Sequence, residues 1–208
     1  MPHPIVFQKI AQKVPDSFEF TVKAHKSMTH ERKDDKPFLE FSEAIKPLQE
    51  TGKLGAVLAQ FPWGFKYTRQ NLEYLSFFKE RMHTIPLVIE FRNNGWLNDT
   101  ALTFMKDIDL NFSCVDEPHI KGLLPPTDTV TGNIGYVRFH SRNKDTWWGT
   151  SVEKRYDYLY SKAELEEWAP RIKNIVKKTT KTYIFFNNCH HGKAAVNAQM
   201  MKDILMLV

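Results

Sequence analysis

The chain has 208 residues, 42% of them hydrophobic and 25% charged, with a formal net charge of +5. That composition excludes a disordered or fibrous protein and suffices for one α/β core. The longest mostly apolar run, 54–61, is far shorter than a membrane span and Met1-Pro2-His3-Pro4 does not begin a signal peptide, so the expectation is a cytosolic protein with no membrane partner.

Phe7, Ile10, Ala11 and Val14 recur at helical spacing, so the chain opens on an amphipathic helix ended by Pro15, with no strand before it. Residues 18–25 alternate as a strand with a polar face that includes Lys23. A polar loop with Thr29-His30 follows. Pro37 then suits the first turn of a helix whose stripe is Phe38, Phe41, Ile45 and Leu48. Residues 54–61 form a strand apolar on both faces, as in a parallel sheet, with Gln60 its one polar side chain. Thr68 caps the next helix, residues 87–92 make a strand with Glu90 and Arg92 on one face, and Asn98 caps a further helix. A short strand, 112–117, carries Asp116 and Glu117 on opposite faces. Where a helix is due, residues 118–133 read as a long irregular loop containing Pro125-Pro126.

The next strand carries the strongest signal. Tyr136, Arg138 and His140 alternate with Val137, Phe139 and Ser141, and in a parallel sheet covered by helices the charged face points into the molecule. Arg142, Asn143 and the Trp147-Trp148 pair follow. Residues 155–160 form a polar-aromatic strip whose alternation would let Arg155 and Asp157 face a pocket while Tyr158 packs. Ser161 and Glu164 match a capping box, Pro170 should kink the helix it opens, and residues 182–188 form the last strand. A C-terminal helix carries Val196, Met200, Ile204 and Leu207. Cys114 and Cys189 fit no zinc spacing and read as reduced packing residues.

Six strands, each followed by a helix or long loop, predict one α/β domain over residues 1–208 with polar side chains gathered at the strands' carboxyl ends. There Arg138 and Arg142 suit a carboxylate or phosphate, with Lys23, Gln60, Arg92, Asn143, Asn187, Asn188 and His190 around it. His140 and Glu90 are acid/base candidates, and Glu117 pairs with Glu90 across adjacent strands. A structural ion-pair network explains the same charges equally well. Gly192 opens the last helix, whose free N–H groups offer an anion site. Trp147 could stack a ring or plug its loop. His190 and His191 have metal-binding chemistry at a spacing too unspecific to name ligands. The absence of a Gly-rich phosphate loop, a G-x-S-x-G elbow and an HExxH motif weighs against the common nucleotide-binding, esterase and zinc-protease classes and names no cofactor.

The segments LGAVLAQFPWGF (54–65), EFRNNGW (90–96), CVDEP (114–118), YVRFHSRNKDTWW (136–148), RYDYLYS (155–161) and FFNNCHHGKAAVNA (185–198) resemble, in order, the YecE-like family, domain of unknown function 72. The resemblance implies a TIM-type barrel and no established reaction. Family members usually begin with a strand resembling IGTSGWSY, a helix and a strand resembling VEINSTFY, and neither strand is found in this sequence. The expectation is therefore an incomplete barrel with six of eight strands, truncated at its N-terminal side. It would act as an enzyme on a small anionic substrate such as a sugar phosphate or phosphodiester. The alternatives are a non-catalytic nucleic-acid or phospholigand binding module, or an inert fragment.

Overall fold

The computed structural model describes residues 1–149 and 151–206; Leu207, the last residue of the predicted C-terminal stripe, lies outside them. Helix α1 (Pro4–Ala11) ends three residues short of the predicted Val14. The buried Lys53 ammonium meets the chain there, donating to the carbonyls of Ala11 (3.0 Å) and Val14 (3.1 Å), so a charge that would be costly inside is satisfied by a helix end.

Strands β1 (Phe20–Lys23), β2 (Leu54–Gln60), β3 (Leu87–Glu90), β4 (Asn111–Asp116), β5 (Ile134–Phe139) and β6 (Lys181–Phe186) form one sheet in sequence order, every neighbouring pair parallel. Helices α2 (Lys36–Glu50), α3 (Arg69–Met82) and α4 (Asp99–Asp107) connect the first four strands, and α3 and α4 begin where Thr68 and Asn98 accept from the backbone N–H three residues on. Residues 117–133 contain no helix, as predicted. After β5 come α5 (Val152–Tyr156), α6 (Lys162–Glu166) and α7 (Ala169–Val176), and α8 (Lys193–Leu205) follows β6. Both halves of the Ser161–Glu164 capping box form. At Pro170 the helix breaks in two instead of kinking, with Pro170 in the first turn of α7, where its missing N–H removes no bond.

The sheet curls into an incomplete TIM-type barrel. Its outer face packs on the helices through the main core, where Phe65, Phe91 and Trp96 stack, and its inner face holds a smaller cluster of Ala56, Leu58, Val88 and Tyr136. The curl brings the two end strands within side-chain reach: the Tyr136 hydroxyl on β5 donates to Thr21 on β1, and Tyr183 and Lys181 of β6 both contact Glu19. Gly55 makes this approach possible, because a Cβ there would lie 2.2 Å from the Tyr183 hydroxyl.

Candidate functional site

Period-two alternation on neighbouring parallel strands sends Lys23, Gln60, Glu90, Arg92, Glu117, Arg138, His140 and Asn187 into the carboxyl end of the barrel. At its centre is Glu90, fully buried, 2.7 Å from Arg138 Nη1, 2.9 Å from Arg92 Nη2 and 3.3 Å from His140 Nε2. Burial pushes the Glu90 carboxyl up, but Arg138, Arg92 and His140 together hold it well below the usual range. Arg92 also reaches Glu117 at 2.6 Å, and the other Glu117 oxygen accepts from the Leu124 N–H at 3.1 Å. Burial dominates here and raises Glu117 to about 7 against the pull of Arg92. His140 Nδ1 faces two donors, Arg92 Nη2 at 3.5 Å and Asn187 Nδ2 at 3.3 Å, which places its proton on Nε2 towards Glu90. Burial, helped by Arg92, lowers His140 to about 3, so the ring is neutral at pH 7.

Above this layer lies a cavity of about 220 Å³ lined by His30, Gln60, Pro62, Trp63, Arg92, Leu123, Trp147, Trp148, Arg155 and Tyr156. Trp147 is buried between two guanidinium groups, with Arg92 Cζ 5.6 Å and Arg155 Cζ 5.8 Å from its ring centre. The loop 118–124 is pinned over one side, since the Gly122 carbonyl accepts from both Trp63 Nε1 (3.2 Å) and the Asn94 N–H (3.1 Å). Lys23 donates to Gln60 Oε1 at 2.9 Å. Lys23 and Arg155 have no carboxylate partner among the described residues, so around the mouth the four cations Lys23, Arg92, Arg138 and Arg155 face two carboxylates, Glu90 and Glu117.

Several predicted residues are placed elsewhere. Arg142 lies beyond the end of β5, where strand alternation no longer applies, and turns to the helix side: it grips Asp116 through Nε (3.0 Å) and Nη2 (2.8 Å) and Glu167 through Nη1 (2.9 Å). Its fork is therefore spent on structure and cannot join Arg138. Asn143 shapes a turn, taking a bond from the Asp145 N–H. Asn188 is fully buried under α8, donating to Tyr158 O and Asn197 Oδ1. His190 stands 3.2 Å from Asp157, which also pairs with Lys193 at the start of α8, so the predicted anion position at Gly192 has a carboxylate of the chain itself close by. Of the predicted strip, Arg155 does line the cavity, but from the helix α5; Asp157 turns away to Lys193. Cys189 is exposed and packs nothing in the core, whereas Cys114 is buried. Among the described residues no group of three His, Cys, Asp or Glu side chains is arranged to hold a metal, and no helix is long and apolar enough to cross a membrane.

Five lining residues were not singled out as site residues: His30, Pro62, Trp63, Leu123 and Tyr156. His30 sits in a π-helical turn, Ser27–Glu31, where the sequence predicts a polar loop after β1, and Trp63 in the loop after β2, so position after a strand end was the available signal.

The model of a family described as protein of unknown function DUF72 matches residues 1–207. The UPF0759 protein YunF of Bacillus subtilis is 33% identical over 216 residues, covering 95% of this chain and 77% of that protein. Among solved structures, a DUF72 family protein from Thermotoga maritima superposes with a TM-score of 0.91 at 38% identity, over 99% of this chain and 80% of the other. One from Enterococcus faecalis gives 0.91 at 29% identity, over 100% and 81%.

Proposed function

This chain belongs to the DUF72 family of proteins of unknown function, and from the geometry of its barrel mouth we propose that it binds a small anionic ligand of the phosphate-ester class there. The observation that carries the reading is the charge excess around the barrel mouth: four cations against two carboxylates, with Lys23 and Arg155 lacking a carboxylate partner among the described residues. Lys23 is repelled by Arg138 and Arg92, and Arg155 stands at a concave, aromatic-lined space without a carboxylate among the described residues, so an entering anion relieves both; a guanidinium fork suits phosphate oxygens. Calorimetric titration with inorganic phosphate and with ribose 5-phosphate tests it. Binding should appear with both, and Arg155→Ala and Lys23→Ala should each weaken it about tenfold, while absence of binding by any phosphate would end the proposal.

The lysine cluster Lys173, Lys177, Lys178 and Lys181 lies around the α7–β6 turn, where the strands begin, at the opposite end from the cavity. A nucleic acid held by those lysines would not occupy the mouth. Salt separates the two readings, since a polyanion touching several phosphates loses affinity steeply with ionic strength and a single phosphate ester does not.

A second reading, proton transfer on the bound ligand, is favoured by Glu117. Of the three acid/base candidates, Glu90 and His140 are moved away from neutrality, while Glu117 at about 7 is matched to a general acid or base. On this reading Glu117→Gln should abolish turnover of a phosphate ester found to bind while leaving its affinity within a few fold, and unchanged turnover would remove Glu117 from the chemistry.

A further inference from the structure

Three indole rings converge on the cavity, and two of them are left uncovered. Trp147 is 3% exposed, whereas Trp63 and Trp148 are 39% and 50% exposed, 6.3 Å apart and edge to face. Two neighbouring half-exposed tryptophans form contiguous apolar surface, which a folded protein rarely leaves at a cavity rim without a contact to cover it. The cavity itself, at about 220 Å³, falls below the roughly 300–1,000 Å³ that encloses a whole small ligand. A ligand with its anionic group at Arg155 would therefore extend out over the rim.

The rim's free chemistry decides what the protruding part is. A sugar needs several hydrogen-bonding partners for its hydroxyls, and several of the polar groups at the rim are already engaged. Gln60 accepts from Lys23 and donates to the Phe61 carbonyl, and the Trp63 N–H is bonded to Gly122. The Asn143 carbonyl group takes the Asp145 N–H. The Tyr156 hydroxyl and the Arg155 guanidinium line the cavity itself, and what the rim offers beyond them is the π-surface of Trp63 and Trp148, with the Lys66 ammonium 5.0 Å from the Trp63 ring centre. From this, resting on the anion-binding reading above, we infer that the ligand is a phosphate ester carrying a flat aromatic ring, of the nucleoside monophosphate class, with the phosphate in the cavity and the ring stacked on Trp148.

The test compares three probes by titration: inorganic phosphate, ribose 5-phosphate and adenosine monophosphate. Stacking on one indole should make the nucleotide bind about tenfold tighter than ribose 5-phosphate. Trp148→Ala should erase that gain and leave the affinity for ribose 5-phosphate unchanged, and Trp148→Phe, which keeps a ring, should restore most of it. Because Trp148 is half-exposed and outside the core, the variants should fold as the parent does, which their thermal melts would check. Equal affinity for adenosine monophosphate and ribose 5-phosphate, or a nucleotide preference that survives Trp148→Ala, would overturn the inference while anion binding stands. Failure of all three probes would remove both.

Discussion

Asp116 and Glu117 are consecutive carboxylates at the end of one strand, both fully buried, yet they live in opposite chemical worlds. Asp116 faces the helix layer and is saturated: Trp168 Nε1 donates at 2.6 Å, the Tyr160 hydroxyl at 2.8 Å, and Arg142 through two nitrogens. Glu117 faces the barrel mouth with one guanidinium, one backbone N–H and the negative Glu90 nearby. Burial alone therefore does not decide what a carboxylate does. The number of donors aimed at it does: a saturated carboxylate locks strand to helix, and an undersupplied one keeps a proton near neutral pH.

The sharpest way to break this contrast is Asp116→Ala, which would strip Arg142 of its buried partner, leaving it only Glu167 and Glu164, and would leave the Trp168 N–H and the Tyr160 hydroxyl without their acceptor. Loss of one partner from a buried pair costs about 3–5 kcal/mol, so chemical denaturation should find a severely destabilised chain. A loss below about 1 kcal/mol would mean that the hub is not structural.

Glu117→Gln should behave differently, through pH. The Glu117 carboxyl is raised from its ordinary 4.5 to about 7 in the folded chain, so between those values the folded state holds a proton that the unfolded state has released. Its contribution to stability is thus lost as pH rises through that window. Whatever constant penalty the amide brings, the stability of Glu117→Gln relative to the parent should improve by roughly 2 kcal/mol between about pH 5 and about pH 8. Urea midpoints across that range would show it, and a flat difference would deny the raised pKa.

Arg142→Lys asks how much of the Asp116 hub depends on the planar fork. A lysine keeps the charge but cannot make the two-nitrogen contact and reach Glu167 as well, and a loss of about 1–2 kcal/mol is expected from thermal melts. The smallest stability effect should come from Arg155→Ala on the mouth side. Removing a cation with no carboxylate partner should change stability by less than about 0.5 kcal/mol, with its cost appearing in phosphate affinity instead.

Much of the fold could be read in advance because its rules are local. The caps at Thr68, Asn98 and Ser161 formed as their side chains predict, since an N-cap involves only four successive residues. The helix break at Pro170 came out stronger than a kink because the chain could restart with proline in the first turn. In the strip 155–160 Arg155 does reach the cavity but Asp157 does not, because the capping serine before the strip opens a one-turn helix and five residues are too few for either periodicity to declare itself.

The same divide runs through the candidate site. Alternation by itself put Arg138 and His140 on one face with Glu90 and Arg92, because in a strand the facing of a side chain follows from residue parity alone. Which charges neutralise one another was not in the sequence. Arg142 could be assigned to the mouth or to the helix layer until the fold brought Asp116 and Glu167 to it, and Arg155 and Trp63 became cavity neighbours only when loops from different strand ends met. Facing is a property of one strand, whereas pairing depends on distances between segments some 25–50 residues apart. Only the curl of the sheet could fix those distances, and with them which cations lack a carboxylate partner among the described residues.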